Sequence, residues 1–272
     1  MSFLVVQLLA GLASASSLFL VASGLTLIFG VTRVVNFAHG SLYMLGAFCG
    51  YTLVGLLAPF LGQGLGFWLA VPLAAFAVAA LGAGLEVAIL RRIYAAPELF
   101  QLLATFGILL VLADATLALW GPEDLLGPRA PGLRDAVWIL GQPVPTYDLF
   151  LIAVGPIVLA GLWYLLQRTR WGMQIRAATE NRDLTAALGI DQRRLFTSVF
   201  ALGAGLAGLA GALELPRQPA SLGMDLGVIV EVFVVTVVGG MGSVPGAFIA
   251  AVLIGQLQAF GILACSCSWP RS

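Results

Sequence analysis

The chain has 272 residues, 60% hydrophobic and 10% charged, with thirteen cationic and thirteen anionic side chains in formal balance. Soluble domains carry about 25% charged residues, so this is a polytopic membrane protein with length for roughly eight spans of about 20 residues. The balance leaves no basic field for nucleic acid. Every cation is an arginine, and without lysine the chain can build neither a P-loop nor a Schiff base.

The first apolar run, 3–29, has no positive segment ahead of it and continues past Ala13-Ser14-Ala15. It reads as an uncleaved span rather than a signal peptide. The stretch Thr32 to Phe48, TRVVNFAHGSLYMLGAF, then places Arg33, Asn36 and the only histidine, His39, within seven residues. An arginine at the centre of a membrane helix costs roughly 2.5–3.5 kcal/mol. Gly40 permits a tight turn, and Ser41 is positioned to cap the helix that follows. Two readings stand side by side. One is a short solvated turn at the membrane surface. The other is a broken helix beside a translocation path, where water or substrate meets polar groups and free helix ends.

Runs 41–58 and 67–90 follow, divided by the breakers of Pro59 to Gly66. Cys49 reads as a packing residue. Glu86 is expected to pair with Arg91 or Arg92 at the membrane surface. Run 99–120 carries Asp114, and the loop 121–147 mixes prolines with Glu123, Asp124, Asp135, Arg129 and Arg134. After run 148–166 comes the loop Gln167 to Arg194, with six arginines: Arg168, Arg170, Arg176, Arg182, Arg193 and Arg194. Arginine excess marks the cytoplasmic side. That puts 167–194, the Arg91-Arg92 loop and the Arg33 stretch inside, and 121–147 and the N-terminus outside.

Thr179 to Ile190 predicts a short helix within the arginine-rich loop. Thr179 or Asn181 suits its N-cap, Asp183 its first turn, and Gly189 the position just past its end. Leu184, Ala187 and Leu188 form one small apolar face, suited to a groove on a partner or to an interfacial anchor. Run 195–215 holds Gly203, Gly205, Gly208 and Gly211 among alanines, a pattern for close helix approach. Glu214 is expected near the outer surface. Run 226–239 has Glu231 about one turn inside, and an intramembrane carboxylate is a functional candidate. Gly239-Gly240-Met241-Gly242-Ser243-Val244-Pro245-Gly246 predicts a hinge or re-entrant turn before the last run, 245–263. Gly40-Ser41 and Gly242-Ser243 form a faint internal echo of the kind transporters show. The tail, 264–272, with Cys265 and Cys267, is not membrane-like.

The fold class that follows is all-α: a transmembrane helical bundle of about eight apolar segments with broken or re-entrant helices. No Cys/His set has zinc spacing, and no nucleophile has a base partner. A self-sufficient channel or ion-coupled transporter would rest on Asp114, Glu231 and His39.

Three stretches together resemble the permease subunits of branched-chain amino acid ABC importers, the LivH/LivM family, on the LivH side. They are Asn36-Phe37-Ala38-His39-Gly40 after Gly24 to Gly30, the loop Trp171-Gly172 through Gly189-Ile190, and Val238 to Ser243 with Pro245-Gly246-Ala247. The resemblance implies one permease domain over 1–263 in the bacterial inner membrane, with a cytoplasmic coupling loop at 167–194 and an external loop at 121–147. It implies a LivM-like permease, two LivG/LivF-like P-loop ATPases that use ATP and magnesium, and an external binding protein; this chain itself needs no cofactor or metal. Translocation-path candidates are Asn36, His39, Gly40, Ser41, Glu231, Gly239, Gly240, Gly242 and Ser243. Coupling candidates are Glu180, Asn181, Arg182, Asp183, Leu184, Ala186, Ala187, Leu188 and Gly189. The substrates implied are branched-chain amino acids, with other amino acids, amides or urea as relatives. The family usually continues with a further span where this chain has its tail, so a truncated C-terminus is expected.

Overall fold

A computed structural model describes the backbone of residues 2–94 and 96–268, and the side chains of 4–94, 96–181 and 185–261. The first helix, α1 (Ser2–Thr32), has 31 residues and is about 46 Å long at 1.5 Å per residue. It stops where Arg33 takes φ = +57°, a left-handed conformation that costs an L-residue roughly 1–2 kcal/mol. After an irregular five-residue link, α2 (Ala38–Leu85) begins. A π turn (Glu86–Leu90) and the short α3 (Arg91–Ile93) continue it.

α2 is not straight. At Gly62 the backbone leaves the helix (φ +77°, ψ 160°). A Cβ on Gly66 would lie 2.9 Å from Ala58 Cα, eight residues earlier, so the helix folds back into two arms. Apolar runs 41–58 and 67–90 are these arms. Then come α4 (Glu98–Trp120), a hairpin of β1 (Ala136–Ile139) and β2 (Gln142–Pro145), and α5 (Thr146–Arg168). The hairpin pairs Ile139 with Gln142, and its two turn residues, Leu140 and Gly141, both have positive φ, the twist that suits a two-residue hairpin. The rest is helical: α6 (Arg170–Glu180), α7 (Arg182–Ala187), α8 (Gln192–Glu214), α9 (Met224–Val238) and α10 (Val244–Ser268).

α8 is the centre of the bundle. Its small residues bring neighbouring backbones close. A Cβ on Gly46 or Gly211 would collide with the carbonyls of Gly208 and Tyr43 respectively, and one on Gly24 with the carbonyl of Gly203. The small-residue stripe therefore serves helix packing, as expected. The outward sides of α4 and α5 are apolar and exposed, with Leu103, Val111, Leu119 and Ile157 all above 60% exposure, as suits a lipid-facing surface.

The two ends of the bundle are chemically distinct. At the hairpin end, Trp68 Nε1 donates to Pro131 O (3.3 Å), Arg134 donates to Gln63 Oε1 (3.0 Å), and Leu125 bridges to Ala220. At the arginine-rich end, Arg91 meets Glu86 (3.0 Å), Arg33 Nη2 donates to Thr179 O (3.3 Å), and Trp171 Nε1 donates to Ser198 Oγ (2.8 Å). The loops assigned to opposite membrane faces from arginine placement occupy these opposite ends.

Three expectations need correction. Among the described residues, six helices are long and apolar enough to cross a membrane, against roughly eight spans expected, because the bent Ala38–Ile93 takes in two of the eight apolar runs and the run 226–239 is too short. Run 226–239 yields only the 15-residue α9, about 22 Å against a hydrocarbon core of about 30 Å. Ser41 does not cap α2, which starts three residues earlier with Phe37 at its N-cap. For the tail 264–272, the helix backbone continues to Ser268, and everything else about it lies outside the described residues.

Candidate functional site

The link between α1 and α2 enters the protein instead of turning over its surface. Thr105 Oγ1 donates to Val35 O (3.3 Å), and the Phe37 ring lies between Phe106 (6.4 Å) and Phe233 (5.0 Å). Asn36 is 1% exposed, and neither atom of its amide has a partner in the protein. Leaving a buried polar group unmet costs about 1–3 kcal/mol. His39 is fully buried, with Nε2 3.0 Å from Val21 O and Nδ1 without a partner. Since a carbonyl only accepts, Nε2 carries the proton and Nδ1 is left as a free acceptor. Gly40 lies directly against the Asp225 carbonyl, and Ser41 Oγ donates to Asp225 Oδ2 (3.3 Å). The solvated-turn reading of Asn36, His39 and Ser41 is thus overturned: all three are buried.

A cavity of about 560 Å³ opens at the hairpin end, lined by Ser14, Ser17, Tyr43, Glu214, Arg217 and Glu231 among others. Its wall is an ion-pair cluster. Arg217 reaches Asp148 through Nε (3.3 Å) and Glu214 through Nη1 (3.3 Å), and donates to Ser14 Oγ through Nη2 (3.1 Å). Ser17 Oγ donates to Glu214 Oε2 (2.6 Å). Glu214 lies at the hairpin end but is 6% exposed; the pairing with Arg217 is what makes that burial tolerable. Val21 lines the cavity floor, and its carbonyl is the partner of His39. The histidine therefore sits just beneath the cavity.

Sequence reasoning singled out Glu231 but missed Arg217, Asp148, Ser14 and Ser17. The available signal was spacing: Ser14 and Ser17 lie three apart on one face of α1, as Glu214 and Arg217 do around the end of α8. What could not be read was that the start of α5 and the end of α8 converge on the middle of α1.

The glycine-rich turn is elsewhere. Gly240 and Gly242 have φ of +86° and +95°, and Ser243 Oγ accepts from Gly246 N (3.2 Å), capping α10. A Cβ on Gly30 would lie 3.1 Å from Gly242 Cα, so the turn rests against the arginine-rich end of α1. Gly239 presses against the Gly246 backbone. A second cavity, about 430 Å³, lies here, lined by Thr26, Gly30, Trp163, Arg176, Gly242 and Ser243. On α1 the two cavities are separated by the step from Val21 to Thr26, about 7.5 Å at 1.5 Å per residue. Thr26 and Thr236 occupy this layer, their hydroxyls 3.5 Å apart. The path candidates therefore fall in three places: Glu231 at the first cavity, Asn36 to Ser41 below it, and Gly239 to Ser243 at the far end.

The predicted short helix of the arginine-rich loop is split between the end of α6 and α7. Asn181 precedes α7, Thr179 lies inside α6, and Gly189 has φ = +80° just past α7, where a left-handed glycine ends a helix. Thr185 is buried and its hydroxyl donates back to Asn181 O (2.7 Å), while Glu180, Asn181, Ala186, Ala187, Leu188 and Gly189 are exposed. Leu188 is 72% exposed. The side chains of Arg182, Asp183 and Leu184 lie outside the described residues. Asp191 starts α8 by accepting from Arg193 N (3.0 Å) and Arg194 N (3.3 Å). Asp114 is exposed on α4 and near neither cavity's lining.

Residues 7–270 match the family described as the permease component of the branched-chain amino acid transport system. The chain is 30% identical to the high-affinity branched-chain amino acid transport system permease protein BraD of Pseudomonas aeruginosa, over 94% of this chain and 85% of that one. It is 27% identical to the permease LivH of Escherichia coli, over 93% and 84%. It is 32% identical to the probable LivH of Methanocaldococcus jannaschii, over 88% and 75%. No solved structure matches the chain.

Proposed function

The chain belongs to the family of permease components of branched-chain amino acid transport systems, and from that premise we propose that it carries leucine, isoleucine or valine, or a closely related amino acid, across the inner membrane as one half of an ATP-driven importer's membrane path. The observation that carries this reading is the pairing of opposite ends. A polar cavity with buried ion pairs opens at the hairpin end, and an exposed apolar knob on α7 stands at the arginine-rich end. Arginine excess makes the second end cytoplasmic, so the cavity faces outward.

In this arrangement an external binding protein delivers substrate to the cavity, and two separate P-loop ATPases, using ATP and magnesium, grip α7. A LivM-like permease supplies the other half of the path. The lack of lysine supports this division of labour, since the chain holds no P-loop of its own. The Asn36–Ser41 link is the inner closure. Its orphan amide and imidazole are groups that acquire partners only when water or substrate reaches them. The Gly239–Ser243 turn provides the hinge on the cytoplasmic side.

The test is co-purification of the tagged chain with a LivG/LivF-like ATPase pair and a LivM-like permease. Ala187→Arg and Leu188→Asp are expected to lose the ATPases and keep the membrane partner. Equal recovery of the ATPases from wild type and both variants would make α7 an interfacial anchor and remove the coupling role.

A further inference from the structure

The cavity of about 430 Å³ at the arginine-rich end does not continue the outward one. From α1, Ser14, Ser17 and Val21 line the outward cavity, and Thr26, Gly30 and Val31 line this one. At 3.6 residues per turn the two sets point about 160° apart around the helix, so α1 stands between the cavities. The walls here are largely apolar. Val31 and Ile175 are buried, and Leu159 and Trp163 lie one turn apart on α5. Two exposed charges share the lining, Arg176 and Glu180, four residues apart and so on one face of α6. None of the ion pairs among the described residues includes either. Arg176 Nη1 donates to Leu166 O, which leaves the guanidinium further donors. The two charges do not serve α6 itself. A carboxylate in the last turn opposes the helix dipole, and a cation four residues ahead of an anion is the weaker order for a helical pair.

Opposite charges side by side over apolar walls fit a small zwitterion with an aliphatic side chain. Its carboxylate takes Arg176, its ammonium takes Glu180, and its side chain enters among Val31, Leu159 and Ile175. The volume falls in the range of small-molecule pockets, roughly 300–1,000 Å³. We propose that this cavity is a regulatory site for a branched aliphatic amino acid arriving from the cytoplasm, the side that arginine placement gives it. The cavity joins α6, which leads into α7, to α1 and to Gly242 and Ser243 of the glycine turn. An occupant bonded to α6 and packed on α1 and α5 holds these parts together, so accumulated product slows further transport. The identity of the ligand rests on the importer reading; the cavity and its two charges do not.

The experiment uses the assembled complex of this chain, the second permease and the ATPases in lipid nanodiscs, with no binding protein. A diazirine analogue of leucine is photolysed with the complex and its adducts are mapped by mass spectrometry. Adducts are expected in 159–167 of α5 and 175–180 of α6. Excess leucine should remove them, while isocaproate, which lacks the ammonium, and leucinamide, which lacks the carboxylate, should not. Arg176→Gln should weaken labelling by about tenfold or more, the scale of one charge-assisted hydrogen bond, and Leu159→Trp, which fills the cavity, should abolish it. In proteoliposomes that also hold the binding protein, leucine preloaded on the ATPase side should lower the initial rate of labelled leucine transport several-fold. Leu159→Trp should lose that inhibition, measured against its own rate without preload. No adduct in these two segments of the wild type would overturn the proposal, and so would equal competition by isocaproate, the mark of a site for any apolar tail such as a lipid's. A preload without effect on the wild type would overturn the regulatory role. A complex that transports leucine but takes no label here refutes the site alone; one that takes the label but transports no amino acid refutes the importer reading alone.

Discussion

Gly211→Ala puts the packing account at risk most sharply. The two arms of α2 hold α8 between them, and on one side the approach is set by Gly46, Gly208 and Gly211. A methyl at 211 would run into the Tyr43 carbonyl and crowd Ala47 N at 2.9 Å. Both obstacles are backbone, so no rotamer change relieves them and α2 must move away from α8. Overpacking of this kind costs about 1–3 kcal/mol, and a rigid backbone obstacle places it near the upper limit, about 3. Against that stands the gain of about 1 kcal/mol from replacing glycine by alanine in a helix, leaving a net loss near 2 kcal/mol. Gly107→Ala on α4 is the control, because a Cβ there meets nothing within 4 Å; only the gain remains. Thermal unfolding of the detergent-solubilised complex, followed by a fluorescent tag, reads both variants. Gly211→Ala should melt clearly below wild type and Gly107→Ala at or slightly above it. If Gly211→Ala melts with Gly107→Ala, α2 and α8 do not approach through these glycines and the arrangement is wrong.

Other perturbations read other parts of the structure. Glu86 is fully buried, held by Arg91 and by the Thr197 hydroxyl at 2.6 Å. Arg91→Ala should cost about 2–3 kcal/mol in the same melting assay, below the 3–5 of a fully buried pair because Arg91 keeps 31% exposure; Arg92→Ala, on the same short α3, should cost under 0.5 kcal/mol. Gly240→Ala and Gly242→Ala each force an L-residue to positive φ, at about 1–2 kcal/mol, and are expected to lower uptake while leaving ATPase recovery on affinity purification unchanged. Arg217→Ala leaves Glu214 and Asp148 unneutralised beside the cavity, so it should lower both the melting temperature and uptake; Arg217→Lys, which keeps the charge but not the three-way fork, should restore part of the stability.

Much of this was legible in the chain itself because membrane helices advertise themselves by length and by their breakers. Arginine placement separated loops that do lie at opposite ends of the bundle, and Gly189 marked the end of α7 by the left-handed conformation a C-terminal glycine serves. The Glu86–Arg91 pair was readable because it is local. What escaped reading was long-range. Nothing in Pro59 to Gly66 says whether the chain leaves the membrane or folds one helix back on itself; the answer depends on α8 offering a surface to both arms. Burial of the Asn36–Ser41 link depends on Asp225, Phe233 and Thr105, far away in sequence. Arg217 sits in a loop whose sequence resembles any solvated turn until Asp148 and Ser14 are brought to it. Polar residues in an apolar chain show that something is being served, but only the tertiary arrangement shows which of them share a cavity.

The central claim is ATP-driven import through a path half built by this chain. Uptake of radiolabelled leucine into proteoliposomes tests it directly, comparing this chain alone with the full set of second permease, ATPase pair and binding protein, ATP supplied on the ATPase side. The account predicts accumulation only with the full set and ATP. Accumulation by this chain alone would contradict it and establish a self-sufficient transporter.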